Sequence, residues 1–313
     1  MANFHTHENK PPAIIYGTAW QGPEMKPLVC SVISAGINGF DTAEQQKNYS
    51  QGLLGDALRL HIGNGLVSRH DLWQVQTKFS PYDNGLSKGT RTYETLEDIA
   101  THVYHSVPLS VLELWGSSPS SQKGSFSASA SASASEAYID CLILHSVLET
   151  LTETLAAWSA MESFVPHPVR ALGISNISFA RLRTLYDAVV IKPHVVQNTF
   201  SPDNGFDSEV RTFCQEKGIF YQGFFIVKRN KSLLKSTAVQ EVANTLCVDP
   251  EPALMSLVES MGVSIIFGSS NEEHIKENAE ALAKVKAYRD DGGHEWWRRM
   301  TESLNQTMYN GAD

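Results

Sequence analysis

The chain has 313 residues, 42% hydrophobic and 19% charged, with a formal net charge of −9 and a sequence pI near 5.7. That apolar content suits a packed core and excludes wholesale disorder, while the acidic balance argues against nucleic acid or an anionic membrane as the main partner. No run approaches the roughly 18 consecutive apolar residues of a membrane helix, and the opening MANFHTHENK lacks the charged-then-apolar order of a secretory leader. Cys30, Cys141, Cys214 and Cys247 stand apart, with no CxxC pair, and are predicted to be reduced thiols of a cytoplasmic protein.

Short apolar runs alternate with longer amphipathic stretches along the chain. Strands are predicted at Ala13–Gly17, Gly36–Asp41, Leu72–Thr77, Ile139–Leu144, Ala171–Ile174, His194–Asn198, Ile219–Gln222 and Val263–Ile266. Each is apolar on both faces, as parallel strands covered by helices are. Helices are predicted between them, among others over Lys26–Ala35, Ser50–Ile62, Phe179–Val189, Ser208–Lys217 and Glu272–Tyr288, with Asn176 and Ser178 as caps before the third of these. One segment departs from this rhythm. Residues 116–135 (GSSPSSQKGSFSASASASAS) are Ser/Ala-rich with one apolar aromatic, and are predicted to form a disordered surface insertion before the fourth strand.

Eight strands alternating with helices in a chain of this length give a (β/α)₈ TIM barrel, a single domain over residues 1–313. The competing doubly wound sheet would place G-x-G-x-x-G after the first strand, where this chain has Thr18-Ala19-Trp20. In a barrel, chemistry sits where the strands meet the following loops. The second run closes on Asp41-Thr42-Ala43, with Tyr49 eight positions on, the third is followed by Lys78, the fourth by His145, the fifth by Ser175-Asn176, and the sixth ends in Gln197-Asn198. Alone, such an Asp is ordinarily a turn residue, such a Lys a solvated charge, such a His a structural residue and such a Tyr a packing residue. Their placement at successive strand ends changes that, because an acid, a phenol, an ammonium and an imidazole then face one mouth.

These segments resemble the aldo-keto reductases, an NAD(P)H-dependent carbonyl reductase family built on this barrel. The carriers are Gly36–Ala43 (GINGFDTA), Gln76–Phe79 (QTKF), Asp140–Ser146 (DCLILHS), Gly173–Asn176 (GISN), Gln197-Asn198 and the SSNEEHIKEN stretch beginning at Ser269. The segment from Asp41 to Tyr49 is longer than the common D-T-A-x-x-Y form and resembles fungal-type members. The resemblance implies a catalytic set of Asp41, Tyr49, Lys78 and His145. Tyr49 would protonate the developing alkoxide, Lys78 held by Asp41 would lower the phenol's pKa, and His145 would polarise the carbonyl. It implies cofactor contacts from Thr18, from Ser175, Asn176 and Gln197 to the carboxamide, from Phe224 by stacking in place of a tyrosine, and from Ser269, Ser270, His274, Glu277 and Asn278. Trp20 would wall the substrate pocket.

The resemblance departs at one place. Gly268 and His274 stand where the family has the lysine and arginine that hold the 2′-phosphate of NADPH. Losing both cations should relax the preference, so the expected cofactor is NADPH with NADH accepted as well. The expected partner is a small-molecule carbonyl compound, with no nucleic acid, membrane or metal. Two alternatives stay open within the same barrel: a nicotinamide-nucleotide-sensing regulatory subunit and a pathway-specific enzyme. Glu295–Met300 (EWWRRM) either reaches over the mouth or docks as an ordinary helix.

Overall fold

In the computed structural model, residues 12–72, 74–83, 89–116 and 137–310 are described. Eight parallel strands close into a barrel in chain order, β1 to β8, with β8 pairing back to β1. The strands are β1 (Ile14–Gly17), β2 (Gly39–Asp41), β3 (Gln74–Phe79) and β4 (Ile139–Leu144), then β5 (Val169–Ser175), β6 (Val195–Thr199), β7 (Phe220–Phe224) and β8 (Val263–Phe267). The helices are α1 (Met25–Ser34), α2 (Gln51–Gly63), α3 (Leu96–Trp115), α4 (Leu151–Glu162) and α5 (Phe179–Ala188). They continue with α6 (Ser208–Lys217), α7 (Thr237–Leu246), α8 (Pro250–Glu259), α9 (Glu272–Asp290) and α10 (His294–Asn310). This is the (β/α)₈ barrel that the alternation of the sequence predicts.

Several boundaries move, each for a local reason. The second strand begins at Gly39 and not at Gly36, because Gly36 lies in the left-handed region (φ +79°) where the chain leaves α1, and the amides of Gly36 and Ile37 donate back to Ile33 and Val32. The third strand runs on through Phe79, which places Lys78 inside the ladder opposite Ile143. Residues 117–136, with most of the predicted insertion, lie outside the described residues. Its approach is visible: α3 closes on left-handed Gly116, and Ala137 leads into β4. Both ends therefore sit at the face where strands begin, opposite the loops that follow them.

The core divides in two. The larger part lies between strands and helices, where Phe40, Val75, Leu142, Leu144, Leu172 and Val196 face the helical ring. A smaller cluster of Cys141, Ile143 and Val195, with Ala171 and Phe220 against it, fills the barrel interior. Strand periodicity then requires Gln76, Lys78, Ser175, Gln197 and Gln222 to point inward with this second set. The interior is thus polar toward the mouth and mostly apolar at its base, where Gln74 at the start of β3 also turns inward and donates to Gln76.

The C-terminal helix α10 docks on the outside, packed against α7, α8 and α9. Trp297 is buried and donates to Ser260 Oγ at 2.7 Å, and Trp296 donates to Glu241 at 2.9 Å. The tryptophans are anchors of a docked helix and not a cover over the mouth.

Candidate active site

Asp41 ends β2 and is 3% exposed. Its Oδ2 accepts from Lys78 Nζ at 2.6 Å, and Lys78, 1% exposed, also donates to the Thr42 carbonyl at 2.9 Å. The other carboxylate oxygen accepts from Gln76 Nε2 at 2.6 Å and from Gln197 Nε2 at 2.9 Å. Two amide donors and an ammonium thus satisfy the buried carboxylate, which burial would otherwise penalise heavily. Gln222 supports this arrangement: it exchanges a reciprocal pair of hydrogen bonds with Gln76, at 2.8 and 2.9 Å, and accepts from Gln197 at 2.9 Å.

Tyr49 comes from the loop between β2 and α2, whose backbone returns through Tyr49 N–H to the Gln45 carbonyl at 3.2 Å. Lys78 Nζ lies 5.0 Å from the centre of its ring. The ring of His145 meets that of Tyr49 edge-on, with centroids 5.9 Å apart. The four side chains named from the sequence therefore converge, from β2, its loop, β3 and the end of β4.

Their ionisation follows from burial and charge. Burial would drive the Lys78 ammonium down, but the Asp41 carboxylate and Tyr49 outweigh it and hold the ammonium above its ordinary value. Burial, with the Lys78 charge beside it, pushes His145 well below the ordinary imidazole value, so the ring is neutral at pH 7. For Tyr49 the sequence expectation is corrected. Lys78 does pull the phenol down, yet burial, reinforced by the Asp41 charge, is larger and the net direction is upward. Tyr49 therefore holds its proton at neutral pH.

On the other side of the mouth, Ser175 and Gln197 are register partners across β5 and β6, both buried. Gln197 Nε2 is committed to Asp41 and Gln222, and among the described residues no donor reaches its Oε1. The Ser175 hydroxyl accepts from Asn176 Nδ2 at 3.1 Å and has no acceptor for its own hydrogen among the described residues. One open acceptor beside one open donor fits a primary carboxamide, and the half-buried Phe224 ring ends β7 nearby. Asn176, left-handed at φ +55°, is held by donation to the His145 carbonyl at 2.9 Å. Thr18 is pinned by its hydroxyl to the Asp41 carbonyl at 3.0 Å.

The segment after β8 is less hospitable to a phosphate. A Cβ on Gly268 would lie 2.7 Å from the Gly17 carbonyl, so no lysine fits there while β1 and β8 keep their pairing. The Ser269 carbonyl is fixed by Tyr16 at 2.7 Å, and Ser270, His274 and Glu277 are exposed. Asn278 spends its amide on the His274 carbonyl at 2.7 Å. Glu272 and Glu273 open α9, with Glu272 accepting from Ser31 of α1 at 2.6 Å. Trp20, 62% exposed, stacks on Phe225 with centroids 6.2 Å apart and donates to Asn48 at 3.1 Å.

A model of the aldo/keto reductase family matches residues 13–291. The chain belongs to that family. An uncharacterized oxidoreductase of Bacillus subtilis, YtbE, is 25% identical over 294 residues, 94% of this chain and 88% of that protein. The NAD(P)H-dependent 6'-deoxychalcone synthase of Glycine max is 25% identical over 268 residues, 82% of this chain and 76% of that one. Among solved structures, an aldo-keto reductase of Bombyx mori in complex with NADP superposes with a TM-score of 0.62 at 19% identity, covering 89% of each chain. The family match makes this chain an enzyme of the aldo-keto reductase kind. Three residues of its site were not singled out from the sequence. Gln76 falls within the QTKF segment, whose pattern does not mark it as a partner of Asp41, and Gln222 and Ser80, which lie against Gln76 and His145, carry no local signal, because their roles depend on strands distant in sequence.

Proposed function

We propose that the chain reduces an aldehyde or ketone to the alcohol, with NADPH as the reductant and NADH accepted. The observation that carries this is the cluster in which the Lys78 ammonium, paired with the Asp41 carboxylate, lies 5.0 Å from the centre of the Tyr49 ring while His145 stands edge-on to that ring. Ser175, Asn176 and Gln197 would hold the carboxamide of the nicotinamide and Phe224 would lie against its ring, with Ser269, Ser270, His274, Glu277 and Asn278 toward the adenosine end and Thr18 at the first strand. The bound cofactor supplies the hydride.

The remaining chemistry belongs to this chain. The substrate oxygen receives two donors, neutral His145 and Tyr49, placed where negative charge develops. Tyr49, half-buried at the mouth, holds its proton against release to solvent because desolvation disfavours the phenolate, and gives it up when an alkoxide forms beside it. The phenolate left behind is stabilised by Lys78, whose own charge is secured by Asp41. Trp20, exposed at the mouth, would form part of the wall that a substrate meets.

The test follows the loss of reduced-cofactor absorbance with a panel of aromatic aldehydes. Turnover by the native chain is expected, and Tyr49→Phe is expected to lose at least about 10²-fold in kcat while binding NADPH unchanged. Tight cofactor binding without turnover by the native chain would favour the nucleotide-sensing alternative instead.

A further inference from the structure

The Nδ1 atom of His145 lies 2.7 Å from the hydroxyl of Ser80, and both residues are buried. A neutral imidazole carries a single N–H, and the partner at one nitrogen decides which nitrogen bears it. Were the proton on Nδ1, Ser80 would accept it and Nε2 would be left a bare acceptor, useless to a carbonyl oxygen. Among the described residues no other acceptor competes for the Ser80 hydroxyl hydrogen.

Ser80 is itself held in place. Its backbone N–H donates to Glu44 Oε1 at 2.7 Å, and the other oxygen of Glu44 accepts from the Ser106 hydroxyl of α3. The Glu44 amide donates to the Lys78 carbonyl at 3.2 Å, and the His145 amide to the Phe79 carbonyl at 2.9 Å. The hydroxyl and the imidazole thus hang from one strand register, and Glu44 fixes the first residue beyond it.

We infer that Ser80 is a positioning residue: it donates its hydroxyl hydrogen to Nδ1 of His145 and so keeps the imidazole proton on Nε2, with Glu44 anchoring its backbone. The effect on rate rests on the reductase proposal above; the tautomer does not. Two measurements separate them. The first is nitrogen-15 NMR of histidine-labelled protein without substrate or cofactor, with the His145 signal assigned by its loss in His145→Gln. The native chain is expected to carry the proton on Nε2, and Ser80→Ala to show a mixed or reversed tautomer. The second is steady-state kinetics. Ser80→Ala is expected to lose about tenfold in kcat, the scale of one neutral hydrogen bond, with the dissociation constant for NADPH unchanged, and Ser80→Thr to restore both the tautomer and the rate.

A native proton on Nδ1 overturns the inference, as does a Ser80→Ala chain that keeps the native tautomer, whatever its rate. Should Ser80→Ala fail to fold, Ser80→Cys, with a weaker S–H donor, is expected to show the same change in part. If no carbonyl is turned over while the tautomer responds as expected, it is the reductase proposal that fails and the positioning role that stands.

Discussion

Lys78→Met removes an ammonium from a closed cluster while keeping much of its length and apolar stem. Asp41 then stays 3% exposed without its cation. Stripping one partner from a buried pair costs about 3–5 kcal/mol. Here the lower end applies, because Gln76 and Gln197 still donate to the far carboxylate oxygen. At about 1.5 °C per kcal/mol for a domain of this size, a loss of about 3 kcal/mol lowers Tm by about 4–5 °C. Adding Asp41→Asn removes the uncompensated charge and is expected to recover at least half of that loss, a coupling between contacting residues that separate sites would not show. Activity behaves oppositely. The phenol of Tyr49 loses its nearby cation in both variants, so kcat/KM is expected to fall about 10²–10³-fold in the single variant and to stay down in the double. Thermal melts followed by circular dichroism, with the absorbance assay on the same samples, read both effects. A Lys78→Met chain melting within about 2 °C of the native one refutes the account of the buried pair. So does a double variant no more stable than the single, and a double variant that regains activity refutes the role given to Lys78.

Burial raises the Glu44 carboxyl to about 7, above its usual range, although Ser106 and the Ser80 amide pull it down. The folded chain therefore binds a proton that the unfolded chain has released between about pH 4.5 and 7. Stability from this group is present below about pH 4.5 and is lost as pH rises through 7, by up to about 3 kcal/mol; melts from pH 5 to 8 should fall more steeply for the native chain than for Glu44→Gln. With Gly268 barred from carrying a side chain and Glu272 and Glu273 beginning α9, the ratio of kcat/KM for NADPH over NADH is expected to lie within about tenfold of unity, since neither Gly268 nor the exposed His274 supplies a fixed cation to the phosphate. A ratio above about 10² would show that some cation reaches the 2′-phosphate. Deletion of residues 117–135 is expected to leave kcat within about twofold, because both flanks meet the barrel at the face opposite the mouth; a tenfold loss contradicts that placement.

The barrel was legible because its signals are local. Apolar runs of strand length, bounded by helical stretches, give eight units whose order a parallel sheet must follow, and the ends of those runs name Asp41, Lys78, His145, Ser175 and Gln197 directly. Two kinds of information were not local. Strand ends slipped by one to three residues, as at Gly36 and Phe79, because the last pairs of a ladder depend on the neighbouring strand and not on the residue itself. The phenol's ionisation was misjudged for a related reason. The cation at 78 is visible in the sequence, but the enclosure of Tyr49, which outweighs it, is a property of the folded mouth. Gln222 and Ser80 are likewise ordinary polar residues until β7 and the loop after β3 bring them against Gln76 and His145.

Asp41 also joins two halves of the mouth that are usually treated apart. One of its oxygens holds Lys78, on the side where a proton would leave Tyr49, and the other holds Gln197, on the side where a carboxamide would sit. Gln197 can offer its carbonyl to a ligand only while Asp41 and Gln222 occupy its nitrogen, since a free amide could turn over and present a donor instead. Substitution of Asp41 thus disturbs the proton path and the amide's orientation together. That explains physically why a carboxylate that need touch neither substrate nor hydride lies buried at the end of β2, in a layer where branched apolar side chains would otherwise pack at far lower desolvation cost.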